Sequence, residues 1–211
     1  MATKAFVPSL VILCLMLENS SASLCSTTFE ASLSQTKLLI MHIEGRTKQL
    51  YETYMTHQGL HSLPTHLCQH KISWFPKGDI TKKTGSMLRR LHKTLAHVHN
   101  SLAVIREQQR ALNHRNSLLL EELKAARLSV KGLLQNTKCA LGLRGQTPTS
   151  ISPLTRPTDP PSFDAKINGC RVLWNYSQFI SHLSQAFKSR RSEGAGPRSP
   201  KRDADRHTAT L

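Results

Sequence analysis

The chain is 211 residues long and carries a formal charge of +16, from 29 basic and 13 acidic side chains. That length allows one domain, or one domain and a tail. A charge of this size predicts attraction to acidic glycans, with plain solubility as the alternative use; nucleic acid is set aside because no segment interleaves aromatic with basic residues.

The N-terminus sets the compartment. Lys4 precedes an apolar run from Ala5 to Leu17, which Glu18, Asn19 and the small residues Ser20 to Ser23 close. A basic start, a short apolar run and a small-residue exit form a secretory signal peptide. A membrane span needs roughly 20 apolar residues, and neither this run nor any later one reaches that length, so no membrane insertion is expected. The expected organisation is a signal peptide over 1–23, a folded domain over 24–188 and a disordered basic tail over 189–211, in a secreted protein. Cys14 leaves with the signal. Cys25, Cys68, Cys139 and Cys170 remain, an even number that reads as two disulfides in an oxidising compartment. No pair of them has the short spacing of a structural zinc site.

Four helices follow from apolar periodicity. In the first, Phe29, Leu33, Thr36, Ile40, Ile43, Thr47, Leu50 and Tyr54 step by three and four and so share one face. Gln58-Gly59 supplies the stop. The second helix, from about Ser86 to Arg110, has the stripe Leu88, Leu91, Leu95, Val98, Leu102 and Ile105, with Leu112 beyond it. The third, from about Ser117 to Gly142, has Leu119, Leu123, Ala126, Val130, Leu133, Thr137 and Ala140 inward. The fourth begins after Pro160-Pro161 with Ser162 as N-cap, and its stripe is Leu173, Tyr176, Ile180, Leu183 and Phe187. No run of alternating β-branched residues predicts a strand.

Each helix has one apolar side, so the four are expected to share one core in an all-α long-chain four-helix bundle. A helix of about 25 residues spans roughly 37 Å. The long connections between helices one and two and between three and four can retrace that length, while the link near 113–116 cannot. Helices two and three are therefore antiparallel neighbours, and the topology is up-up-down-down. In it the start of the first helix meets the end of the third, which pairs Cys25 with Cys139. The connection after the first helix meets the start of the fourth, which pairs Cys68 with Cys170.

At these residues the chain resembles the leukaemia inhibitory factor and oncostatin M branch of the interleukin-6 cytokine family, the oncostatin M pattern being the nearer. The resemblance rests on Cys25-Ser26 followed by Phe29, Leu33 and Gln35; on Tyr54 through Gln58-Gly59-Leu60; on Gly132-Leu133-Leu134-Gln135-Asn136-Thr137-Lys138-Cys139; and on Phe163-Asp164-Ala165-Lys166 with Gly169-Cys170-Arg171. It implies a monomeric ligand without cofactor or catalysis that pairs cell-surface receptors and so triggers intracellular kinase signalling. Phe163 and Lys166 match the family's contact for a second receptor, the leukaemia inhibitory factor receptor or the oncostatin M receptor; the alternative for Phe163 is a hydrophobic staple at the helix start. Gln35, Gly132 and Asn136 match the surface for the shared signal-transducing glycoprotein subunit. Leu39 stands where that surface carries a glutamine in oncostatin M, and can serve as an apolar contact. The alternative for Gly132 is close packing of a side chain from a neighbouring helix.

Asn175-Tyr176-Ser177 is a glycosylation sequon, and Asn175 falls outside the stripe through Leu173, Tyr176 and Ile180. Arg190-Arg191 and Lys201-Arg202 are candidate processing sites in the tail. The eleven histidines follow no ligand spacing and are expected on the solvated surface. A secreted basic hydrolase such as a ribonuclease is the rival function; it lacks a nucleophile or an acid–base pair on a rigid cleft.

Overall fold

The computed structural model describes residue 25 and residues 28–76, 85–112, 117–148 and 162–193, with side chains in the last stretch to Lys188. The expected signal peptide and the tail beyond Glu193, with Lys201 and Arg202, lie outside the described residues. Among the described residues the fold has four helices, α1 (Phe29–Gln58), α2 (Gly85–Leu112), α3 (Leu118–Gly142) and α4 (Phe163–Glu193), with one 3-10 turn, Thr65–Leu67, after α1. There is no strand among the described residues.

The helix ends follow local chemistry. The Thr28 hydroxyl accepts from the Ala31 amide and caps α1. Gly59 ends α1 in the left-handed region, at φ 65°, and the Leu60 amide returns to the Met55 carbonyl at 3.0 Å. Ser117 caps α3 and Ser162 caps α4, each hydroxyl accepting from the amide three residues on.

The predicted stripes are the core. Ile40, Ile43, Leu50 and Tyr54 of α1 meet Leu95, Val98 and Leu102 of α2, Leu123, Val130 and Leu133 of α3, and Leu173, Tyr176, Ile180 and Leu183 of α4. The threonines within these stripes are satisfied locally. Thr36, Thr47 and Thr137 donate to the Ser32, Glu44 and Leu133 carbonyls at 2.8, 2.8 and 2.9 Å, so each of these three hydroxyls has a partner within its own helix. Phe29 and Leu33 sit in a smaller cluster with Leu88, Ala140 and Leu141. That cluster joins the starts of α1 and α2 to the end of α3, as parallel α1 and α2 with antiparallel α3 require.

Cys25 is bonded to Cys139, and Cys68 to Cys170. The segment after α1 does not hang free. Phe75 packs on Phe179 of α4, and Trp74 stacks between Phe75 and His97 of α2. At the far end α4 continues to Glu193. The residues expected in the tail from 189 are therefore helical as far as Glu193, Arg190 and Arg191 among them. The Glu44 carboxylate of α1 accepts from Ser184 at 2.7 Å and Lys188 at 2.9 Å, which fastens this end of α4.

Candidate receptor-binding surfaces

The first turn of α4 is held in place from behind. Ser162 is its N-cap, so Phe163 is the first helical residue. A staple joins the residue before the cap to the fourth helical residue, and Phe163 is neither; it is 58% exposed. The staple alternative therefore fails. Lys166 is three residues on, on the same side of the helix. Its carbonyl accepts from the Tyr54 hydroxyl at 3.2 Å. Tyr54 is buried, which pushes its phenol above the usual range and keeps it neutral. Gly169 lies against the Tyr54 ring so closely that a Cβ there would collide with it. One turn further, Cys170 carries the disulfide to Cys68, and the Arg171 Nε donates to the Leu67 carbonyl at 2.7 Å. An exposed ring beside an ammonium is thus mounted on a first turn tied to α1 and to the segment that follows it.

Asn175 belongs to the same tie. Its Oδ1 accepts from the Ile72 amide, and its Nδ2 donates to the His70 and Arg171 carbonyls, both at 2.9 Å. It is 6% exposed. This corrects the expected glycosylation: in the folded chain Nδ2 is buried and both its hydrogens are engaged, which leaves no room for a sugar. Asn175→Ala strands two loop groups and is expected to destabilise the fold by about 1–3 kcal/mol, read as a lower Tm, and intact mass should show no glycan on the folded wild type.

The second surface lies between α1 and α3. These helices run antiparallel, and Gln49 donates to Glu122 across them at 2.8 Å. The same register puts Leu39 against Gly132, where a Cβ would stand 3.1 Å from the Leu39 Cδ2, and brings Gln35 to the level of Asn136. Gln35 is exposed; Leu39, Gly132 and Asn136 are half-buried. The packing alternative for Gly132 is thereby present, and its partner is Leu39, itself a member of the candidate surface. Leu38, Met41 and Leu128 are exposed on the same two helices.

Sequence reasoning missed a groove of about 290 Å³ further along this seam, lined by Ile43, Thr47, Ala125, Ala126, Ser129 and Tyr176 among others. Tyr176 is fully buried, and its hydroxyl has no partner among the described residues. The legible signal was the spacing of Ala125, Ser129, Gly132 and Asn136, which sets small side chains along the α3 face turned to α1.

An up-up-down-down bundle of long helices, with two disulfides and side chains offered outward, defines the class of long-chain helical cytokines. The chain belongs to the LIF / OSM family, whose model matches residues 33–187. It is also 31% identical to oncostatin-M of Rattus norvegicus over 190 residues, covering 82% of this chain and 77% of that protein. Members of this family are secreted signalling ligands and not enzymes. Among the described residues no helix is long and apolar enough to cross a membrane.

Proposed function

We propose that this cytokine pairs two different receptors through these two surfaces. Phe163 and Lys166 hold the second receptor, the leukaemia inhibitory factor receptor or the oncostatin M receptor. Gln35, Leu39, Gly132 and Asn136, with the exposed Leu38, Met41 and Leu128 around them, hold the shared signal-transducing glycoprotein. The observation that carries the reading is the exposure of Phe163 on an otherwise tied-down first turn. A large aromatic ring in water on a rigid mount is the form an interface anchor takes before its partner arrives. Pairing the receptors outside the cell brings their attached kinases together inside. The mature domain acts as a monomer, with one copy of each surface.

Gly132→Arg tests the α1–α3 surface. Arginine gains roughly 1 kcal/mol of helix propensity over glycine, while its Cβ obliges Leu39 to shift by a few tenths of an ångström. These effects oppose each other, so Tm should change little. The long side chain covers the seat of the shared subunit and should weaken its binding at least about tenfold, or roughly 1.4 kcal/mol. Retained binding with a collapsed Tm would make Gly132 a packing residue alone. Capture of the mature protein by individual receptor ectodomains identifies the second receptor.

A further inference from the structure

We infer that the outer seam between α2 and α3 is a binding site for a sulfated glycosaminoglycan, a linear chain carrying sulfate and carboxylate groups at regular intervals. From Gly85 to Arg106 in α2 and from Leu123 to Gly142 in α3 there are eight lysines and arginines and no aspartate or glutamate. The two stretches lie side by side in antiparallel helices. On α2, His92, His99 and Arg106 recur every seven residues and share a stripe about 21 Å long. On α3, Arg127, Lys131 and Lys138 form the stripe that faces it: Lys138 acts on His92, and Arg127 and Lys131 act on His99. Lys131 and Lys138 are exposed, and the other four are half-buried.

The protein does little to neutralise this row. Among the described residues no carboxylate pairs with Arg106, Arg127, Lys131 or Lys138, and the buried Nε atoms of Arg106 and Arg127 have no acceptor. Glu107 and Glu121, at one end of the seam, already pair with Arg110 and Lys124. Four cations and two histidines spread along two facing stripes fit a linear polyanion better than a compact anion. The stripe has no phenylalanine, tyrosine or tryptophan on which bases could stack, its only rings being the half-buried imidazoles of His92 and His99, and no apolar side chain to enter a lipid surface. The family is secreted, and sulfated glycans are the dense polyanions of cell surface and matrix. The seam is also separate from the proposed receptor surfaces. Lys131 and Lys138 flank α3 on its α2 side, while Gly132 and Asn136 flank it on the α1 side, so glycan and shared subunit can be held together.

The histidines make the site respond to pH. Burial first, and then the cations opposite, lower the protonation of His92 and His99 below the usual imidazole range. The groups facing them across the seam are Lys138, Arg127 and Lys131, all positive, with Asn100 hydrogen-bonded to His99. A bound polyanion reverses the sign of that field, so binding takes up protons and tightens as pH falls. Without glycan the sign is opposite for stability. The unfolded chain holds these protons more readily, so stability is full above about pH 6.5 and falls as pH drops through that value toward the lowered folded ones.

The test measures affinity of the mature full-length protein for immobilised heparan sulfate across a salt series. Arg127→Gln/Lys131→Gln/Lys138→Gln should bind about tenfold or more weakly near 0.15 M salt, with a log–log salt slope shallower by about 2–3, an unchanged helical spectrum and full receptor binding. Lys37→Gln/Lys48→Gln/Lys71→Gln, of equal charge, should stay within about twofold of wild type, as should Arg198→Gln/Lys201→Gln/Arg202→Gln. Equal losses in all three overturn the site in favour of net charge, and a loss confined to the last moves it to the tail. Equal affinity for duplex DNA or for phosphatidylserine vesicles, lost with the same seam variant, overturns the choice of glycan. Between about pH 7.4 and 6 the wild type should gain several-fold in affinity and His92→Gln/His99→Gln should not; a gain that survives in that variant removes the histidines from the site.

Discussion

Phe163→Ala is expected to lower affinity for the second receptor by about 30- to 1,000-fold, the equivalent of about 2–4 kcal/mol, while Tm and affinity for the shared subunit hold. The size follows from burying an aromatic anchor at the centre of an interface. The selectivity follows from position. The ring is exposed and contributes little to the fold, so its loss should move stability by about 0.5 kcal/mol or less. Lys166→Ala should cost less than Phe163→Ala, because a rim ammonium orients more than it binds. It removes no fold contact made by the main chain, since Tyr54 bonds the Lys166 carbonyl and not its side chain. The double variant should occupy the shared subunit without completing the pair, and so compete with wild type without signalling. Unchanged affinity for both candidate second receptors, with the fold preserved, would remove Phe163 from the site.

The largest expected effect on stability comes from Cys68→Ser/Cys170→Ser. The bond spans 102 residues of sequence. The chain-entropy account gives a loop of that size about 4.7 kcal/mol, and removal of native disulfides costs about 2–5 kcal/mol in practice. For a domain of this length that lowers Tm by about 5–20 °C. The loss should also be uneven in function. The bond lies one turn beyond Lys166 and ties the Phe163 end to the segment after α1, so second-receptor affinity should fall more than shared-subunit affinity. Arg171 and Asn175 still hold residues 67–72, so the segment should remain docked near neutral pH and ambient temperature. Equal weakening at both surfaces would mean that the bond supports the bundle as a whole and not this end of it.

The helices, the Gly59 stop, the Ser162 cap and the disulfide pairing were legible because each is set by neighbours in sequence or by the reach of a loop. Apolar residues three and four apart define a face wherever that face ends up, and a crossover of known length can end in few places. What the sequence hid depends on the register between distant segments. Leu39 and Gly132 are read separately as one departure from a pattern and one odd glycine; only the α1–α3 register makes them a lock. Gly169 enters the sequence only as part of a family match, and the Tyr54 ring against it depends on how α1 and α4 pack. Asn175 was misjudged for a different reason. Its stripe was drawn for a helix covered by three others, but α4 is also covered by residues 67–75, so its buried arc is wider and takes in Asn175 and Phe179. The histidines of α2 were misjudged likewise, since His92 and His99 are half-buried at the α3 seam.

The central claim is that one chain holds two different receptors at once through separate surfaces. Light scattering on gel-filtered mixtures of the mature protein with the shared-subunit ectodomain and each candidate second-receptor ectodomain tests it most directly. The account predicts a complex with one copy of each receptor ectodomain bound per cytokine for the correct second receptor, lost to a two-component complex with Phe163→Ala in one direction and with Gly132→Arg in the other. If adding the second ectodomain instead displaces the first, the two receptors share one surface and the account is contradicted.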